Sequence, residues 1–292
     1  NNPRTKAKAT ELTEAKKNLA GMKAATSVPV MRELAKGRET HIQVRGNYQV
    51  KEGRVSEGVP AVFAVAVADN KINRLTLSNW LMDERNPLTA RVIANRYWES
   101  IFGNGLVRTS EEFGSQGELP THPELLDWLA TEFIRCKWDQ KAMHKLIVTS
   151  ATYRQASGTS TDLLRRDPEN RLLAHGPRKR LTPYAIRDAA LFNSGLMNGQ
   201  IGGPSVKPYM PPGIWKSISN ATYKQDKGDK LYRRGMYTYW RRTVPPPTMM
   251  AFNAAAREIC TVRTDLTTTP LQALTMMNNK TYVEAARFLA ER

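Results

Sequence analysis

NPLTARVIANRYWESIFGNGLVRTSEEFGSQGELPTHPELLDWLATEFIRCKWDQKAMHKLIVTSATY, residues 86–153, is the densest run of helix signals and large apolar residues in the chain. Its spacing predicts three helices. Asn86 offers a side-chain oxygen to free backbone N–H groups, and Pro87 suits a first turn that needs no N–H. This helix runs to about Phe102 and stops at Gly103, which tolerates the left-handed backbone that closes a helix. A second helix opens at Thr121-His122-Pro123 and runs to about Cys136. Asp139 caps a third, which runs to about Ser150. Trp98, Trp128 and Trp138 lie inside the block, and Trp80 lies just before it.

On the second helix Leu125, Leu126, Leu129, Phe133 and Cys136 share one face, and Glu124, Asp127, Thr131 and Arg135 the other. The first helix is different. Ile93, Ala94, Tyr97, Trp98 and Ile101 form an apolar arc. Arg91, Asn95 and Glu99 then follow at four-residue spacing, framed by further apolar residues, with Arg96 on the solvent strip. A framed polar row has two readings: a network that fixes how helices dock, or the polar floor of a pocket. Both stay open at this point.

The 292 residues carry 40% hydrophobic content and a net charge of +17. That content argues against disorder, and no apolar run approaches the length that spans a bilayer. The charge is unevenly placed. Residues 81–150 hold 8 basic and 10 acidic side chains, whereas 1–38 hold 9 and 3, and 201–245 hold 9 and 2. The cationic excess therefore lies outside the central helices, where it suits a polyanion such as an acidic polysaccharide, a nucleic acid or a membrane surface, or forms a solvated basic surface. The chain opens on Asn without a signal-peptide pattern, so it is expected to be a piece of something longer.

The flanking segments predict a mainly α protein with a small β component, an irregular helical domain with long connecting loops. Residues 1–38 are expected to be a helical arm, its seam of Leu12, Ala15, Leu19 and Met22 packing on a partner surface. Residues 39–292 are expected to form a single domain. Ile42, Val44, Tyr48 and Val50 predict short strands around a turn within 39–67, ahead of an apolar run from Val59 to Val67. A helix is predicted over Arg74–Met82. Residues 165–180 are Arg-rich and broken by Pro168 and Pro177. Thr182-Pro183 opens a helix with Leu191 and Phe192 inward, carrying Arg187 and Asp188. Alternation in YRRGMYTYWRRT predicts a strand near 231–243, whose Arg233, Arg234, Tyr239, Trp240 and Arg241 are candidates to stack on and pair with a polyanion. A short helix is predicted within 248–257. Thr269-Pro270 opens one helix and Asn278 or Asn279 the last, with Val283, Ala286 and Leu289 or Ala290 inward.

Among reactive residues, Cys136 and Cys260 lie in no C-x-x-C-H, so this chain attaches no c-type haem, and no Cys/His cluster has zinc spacing. Cys136 reads as a small core residue, and a disulfide between the two stays open. P-loop, dinucleotide and G-x-S-x-G motifs are absent. His122 stands at a helix start, where a cap or packing role is the ordinary one. No nucleophile is named with its base, so no reaction can be assigned.

Six segments together resemble one family: residues 86–107, 113–130, 141–155, DPENRLLA at 167–174, RKRLTPYAIRDAAL at 178–191, and TPLQALTMMNN at 269–279. It is the C-terminal domain of unknown function (family 1553, planctomycete PSD type) of planctomycete cytochrome-c-containing proteins. The resemblance covers roughly residues 40–290. It implies an exported, periplasmic or secreted protein with a c-type cytochrome as partner. The haem c would sit on an upstream domain or another chain. The family's motif positions match here at Arg91, Asn95, Arg96, His122, Asp127, Arg154, Arg180, Arg187, Asp188 and Arg263. Two functions follow as expectations: a module coupled to electron transfer and acting on or near carbohydrate, or a non-catalytic module binding an acidic or sulfated polysaccharide. Nucleic acid is disfavoured by export and by the lack of a recognised motif.

Overall fold

The computed structural model describes residues 3–21, 28–34, 37–63, 72–218, 222–264 and 266–292. Met22 of the predicted seam and residues 64–67 of the apolar run lie outside them. Eleven α-helices and one two-stranded sheet occur among the described residues, so the protein is mainly α with a small β part. Contacts group the described residues up to 63, with 72–74, in one compact unit and those from 75 onward in another.

The first unit contains α1 (Pro3–Gly21) and a hairpin of β1 (Thr40–Gln43) and β2 (Lys51–Val55). The strands are antiparallel, with Thr40 opposite Val55 and an irregularity between His41 and Gln43. A 3-10 turn at Val44–Gly46 joins them, as the Arg45-Gly46-Asn47 sequence predicts. On α1, Leu12 and Leu19 of the seam are exposed.

The second unit takes in α2 (Arg74–Met82) from Leu75 onward and is built on α3 (Thr89–Phe102), α4 (Pro123–Arg135) and α5 (Gln140–Thr149). Asn86 does bond the start of α3, but the helix begins two residues later than expected, with Leu88 at the N-cap position. Asn86 Oδ1 accepts from the N–H groups of Leu88 and Thr89 at 3.0 and 3.2 Å, which leaves Pro87 outside the helix. Gly103 ends the helix at φ 95°, a backbone angle that strains any other residue. Asp139 accepts from Lys141 and Ala142 and starts α5. Ala94, Trp98 and Phe102 of α3 then meet Leu126, Leu129 and Phe133 of α4 and Met143 and Ile147 of α5 in one core. Each such large side chain contributes on the order of 1.5–3 kcal/mol by burial. Trp138 sets its ring edge against Phe133 at 5.0 Å. Trp128 does not join this core: it is half exposed, on the face of α4 that turns from it. Cys136 is half-buried, Cys260 is exposed, and neither is in a disulfide.

The remaining helices are α6 (Thr161–Arg166), α7 (Pro183–Asn193), α8 (Ile214–Ile218), α9 (Pro247–Ala251), α10 (Pro270–Asn278) and α11 (Lys280–Glu291). Here α7, α9 and α11 pack around Leu191, Met249, Phe252, Tyr282 and Ala285. Three expectations are corrected. Phe192 points outward, at 69% exposure, because Leu191 alone of that pair faces the layer. On α11 the inward residues are Tyr282 and Ala285, while Val283 and Leu289 are exposed and Ala286 is on the surface with them. Tyr282 wins the inward position because its ring packs edge-on to Phe252, with centroids 6.1 Å apart. Residues 231–243 form no strand. They are two 3-10 turns, Gly228–Tyr232 and Gly235–Tyr237, joined to neighbouring segments by isolated bridges such as Val206 to Thr238.

Candidate functional site: a cationic cleft beside the third helix

The sequence candidates do not converge on one place. Arg91 lies against Asp127 of α4 at 2.6 Å and also donates to Pro87 O at 2.5 Å. The Arg91 guanidinium holds the Asp127 carboxyl below its ordinary range. Asn95 is fully buried. Its Nδ2 donates to Val107 O at 2.9 Å and to Ser110 Oγ at 3.0 Å, and its Oδ1 accepts from Val107 N at 2.9 Å. Ser110 in turn donates to Glu99 Oε2 at 2.6 Å. Arg96 is exposed, and His122 contacts Thr121 Oγ1 through Nδ1 at 3.0 Å. The Arg91–Asn95–Glu99 row thus ties α3 to α4 and to the 103–110 loop.

A second group meets at α7. Arg187 is buried and donates to Leu231 O and Arg233 O, both at 2.7 Å. Asp188 Oδ1 accepts from Gly235 N at 2.6 Å and its other oxygen pairs with Arg234 at 3.5 Å. Arg233 is buried as well. It donates to Gln200 O, Gly202 O and Pro204 O and stacks on Tyr237 at 3.7 Å. Buried guanidinium groups that donate to carbonyls of several segments bind loops together, here through the Nη atoms, with Arg233 Nε left without a partner. Tyr239 sits under Lys207, Arg241 lies over Trp215, and Trp240 donates to Ala256 O beneath Arg257. The five strand candidates therefore divide between internal packing and a surface cluster.

An open cavity lies elsewhere, a cleft of about 550 Å³. Its walls come from the end of α3, the 103–106 loop, residues 164–180, and Leu266 with Thr268. The stacked rings of Trp98 and Phe102, 4.0 Å apart, form part of one wall. Four cations line it, Arg171, Arg178, Lys179 and Arg180, against the one carboxylate of Glu169. Arg171 is paired with Glu118 at 2.9 Å, and Glu169 with Arg108 at 3.0 Å. The other three differ. Arg180 donates to Leu181 O and Phe252 O, each at 3.1 Å, and its Nε is buried without a partner. Lys179 donates to Ser100 O in the last turn of α3, where the helix dipole favours a cation. Burial pushes the Lys179 ammonium below the usual lysine range, against the opposing pull of Glu99. Arg178 is exposed and makes no ion pair or side-chain hydrogen bond among the described residues. Hence three consecutive positive side chains line the cleft and none forms an ion pair with a carboxylate among the described residues.

The loop that carries them is stiffly built. Asp167 is buried and accepts from the N–H groups of Arg171 and Leu172, each at 2.8 Å. Asn170 bonds both backbone groups of His175. Of this cleft, sequence reading marked only the Arg-rich 165–180 run and the motif position Arg180. None of the other candidate binding residues or motif positions lines it. Among the described residues, no group of three or more His, Cys, Asp or Glu comes together as a metal site would require, and no helix is long and apolar enough to cross a membrane.

Fold and cleft together define a mainly helical module with a cation-lined cavity in which Arg178, Lys179 and Arg180 form no ion pair among the described residues. The family model described as a protein of unknown function (PSD1, DUF1553) matches residues 73–292, and the chain belongs to that family. No curated protein matches the chain, and no solved structure matches it.

Proposed function

We propose that the chain is a non-catalytic binding module for an acidic or sulfated polysaccharide, seated in the Arg178–Lys179–Arg180 cleft. The observation that carries this reading is that none of these three cations has a carboxylate ion-pair partner among the described residues, although all three line one cavity. Guanidinium forks match sulfate and carboxylate oxygens bidentately, and a partly enclosed wall strengthens each contact over its value in open water. The family likeness adds a setting. In it the module belongs to a larger periplasmic or secreted protein, with a c-type cytochrome on an upstream domain or partner. Electron transfer coupled to work on the held carbohydrate is the wider form of that setting, and it rests on the likeness alone.

Titration calorimetry with a sulfated oligosaccharide and its desulfated counterpart tests the binding role. The sulfated form binds, its affinity falls steeply with salt, and Arg178→Glu weakens it by about tenfold or more. Equal binding of both forms, or binding that ignores salt, removes the proposal.

A further inference from the structure

His175 is 7% exposed and lines the same cleft. Its position is fixed from three sides. Asn170 Oδ1 accepts from His175 N at 3.3 Å, Asn170 Nδ2 donates to His175 O at 2.8 Å, and Gly176 N donates to Ala156 O at 2.9 Å. The ring adds a fourth constraint, with Nδ1 2.7 Å from Gly176 O. A carbonyl oxygen only accepts, so Nδ1 must carry the proton. In the neutral ring the lone pair is then on Nε2. Among the described residues no group bonds Nε2, and it is not among the atoms sealed from solvent. The cleft thus holds one rigid imidazole acceptor among cationic donors.

Resting on the anion-binding reading of this cleft, we infer that His175 makes the site selective for anions that carry a hydroxyl group beside the charge, the chemistry of a sulfated or uronic sugar. Inorganic sulfate offers only acceptor oxygens and leaves Nε2 without a complement. A sugar hydroxyl donates to Nε2 while its sulfate or carboxylate meets Arg178, Lys179 and Arg180. The charged groups that line the cleft with the ring are Arg171, Arg178, Lys179, Arg180 and Glu169.

The test is the ratio of two dissociation constants, for inorganic sulfate and for a monosulfated galactose, measured on the full chain by calorimetry at neutral pH. The sugar is preferred by roughly tenfold, the scale of one hydrogen bond. His175→Asn places an amide donor where Nδ1 reached Gly176 O and supplies nothing at Nε2, so it abolishes the preference. A wild-type ratio near one overturns the inference, even if His175→Asn does not fold, and leaves the cationic cleft standing. Failure of both anions to bind overturns the inference and the cleft reading together.

Discussion

Asn95 closes on Val107 at both backbone groups: Nδ2 donates to Val107 O and Oδ1 accepts from Val107 N, each at 2.9 Å. One side chain of α3 thereby imitates a strand neighbour for the loop that follows the helix. Gly105 allows this approach, since a Cβ there would collide with Val107 O and lie 2.7 Å from Asn95 Nδ2. Asn95→Ala leaves a buried N–H and C=O of Val107 unpaired and opens a cavity. We predict a loss of about 2–4 kcal/mol in denaturant unfolding. Gly105→Ala lowers stability as well, with no loss of hydrogen-bonding groups.

Arg187 makes the second prediction. Its guanidinium is buried and fastens Leu231 O and Arg233 O to α7. Arg187→Met removes both donors and strands the two carbonyls. Amides across 228–238 then exchange faster with solvent, while those of α3 and α4 keep their protection. Uniform loss of protection across the second unit would point to a global role instead.

Tyr282 gives a pH dependence with a definite sign. Burial raises its hydroxyl to about 12, with Arg187 pulling the other way. The folded state therefore keeps a proton that the unfolded chain gives up near the ordinary value of 10.0. The associated stability is whole below that value and is lost as pH rises toward 12, on the order of 2–3 kcal/mol in total. Tyr223 and Tyr232 are raised in the same direction by burial. Stability measured by urea unfolding falls through this window. Tyrosinate absorbance lags the free-tyrosine curve until the fold opens.

Much of the fold is legible in the sequence where one local rule decides. Asn86, Gly103, Pro123, Asp139, Thr182 and Asn279 mark helix ends through backbone groups that must be capped within a turn. Which face of a helix turns inward is less local. On α11 the choice between Val283 and Tyr282 is one residue, a 100° rotation, and the ring of Phe252 decides it. The alternation over 231–243 misleads for a similar reason: Arg233, Thr238 and Val244 are buried by separate tertiary contacts, not by a shared pleat. The cleft is the hardest to read. It joins residues 98–106, 164–180 and 266–268, which nothing in the primary order brings together. His175 leaves one trace, a histidine followed by glycine between two prolines, and that trace carries no chemistry without the Nδ1 contact.

Lys179 supplies a chemical prediction. Burial lowers its ammonium below the usual range while the side chain stays in the cleft wall. At mildly alkaline pH it should be acylated ahead of the exposed Lys8, Lys16, Lys17, Lys224, Lys227 and Lys230. A sulfated oligosaccharide should slow that reaction. Peptide mapping by mass spectrometry reads both effects, and equal labelling of all lysines would deny the cleft its special amine.

The most direct measurement is a crystal structure of the chain with a sulfated oligosaccharide bound. Seated in the cleft, the sulfate contacts Arg178 or Arg180, and a sugar hydroxyl lies within hydrogen-bonding distance of His175 Nε2. Density for the sugar over the Lys207–Trp215–Tyr239–Arg241 cluster, with the cleft unchanged, would contradict the assignment.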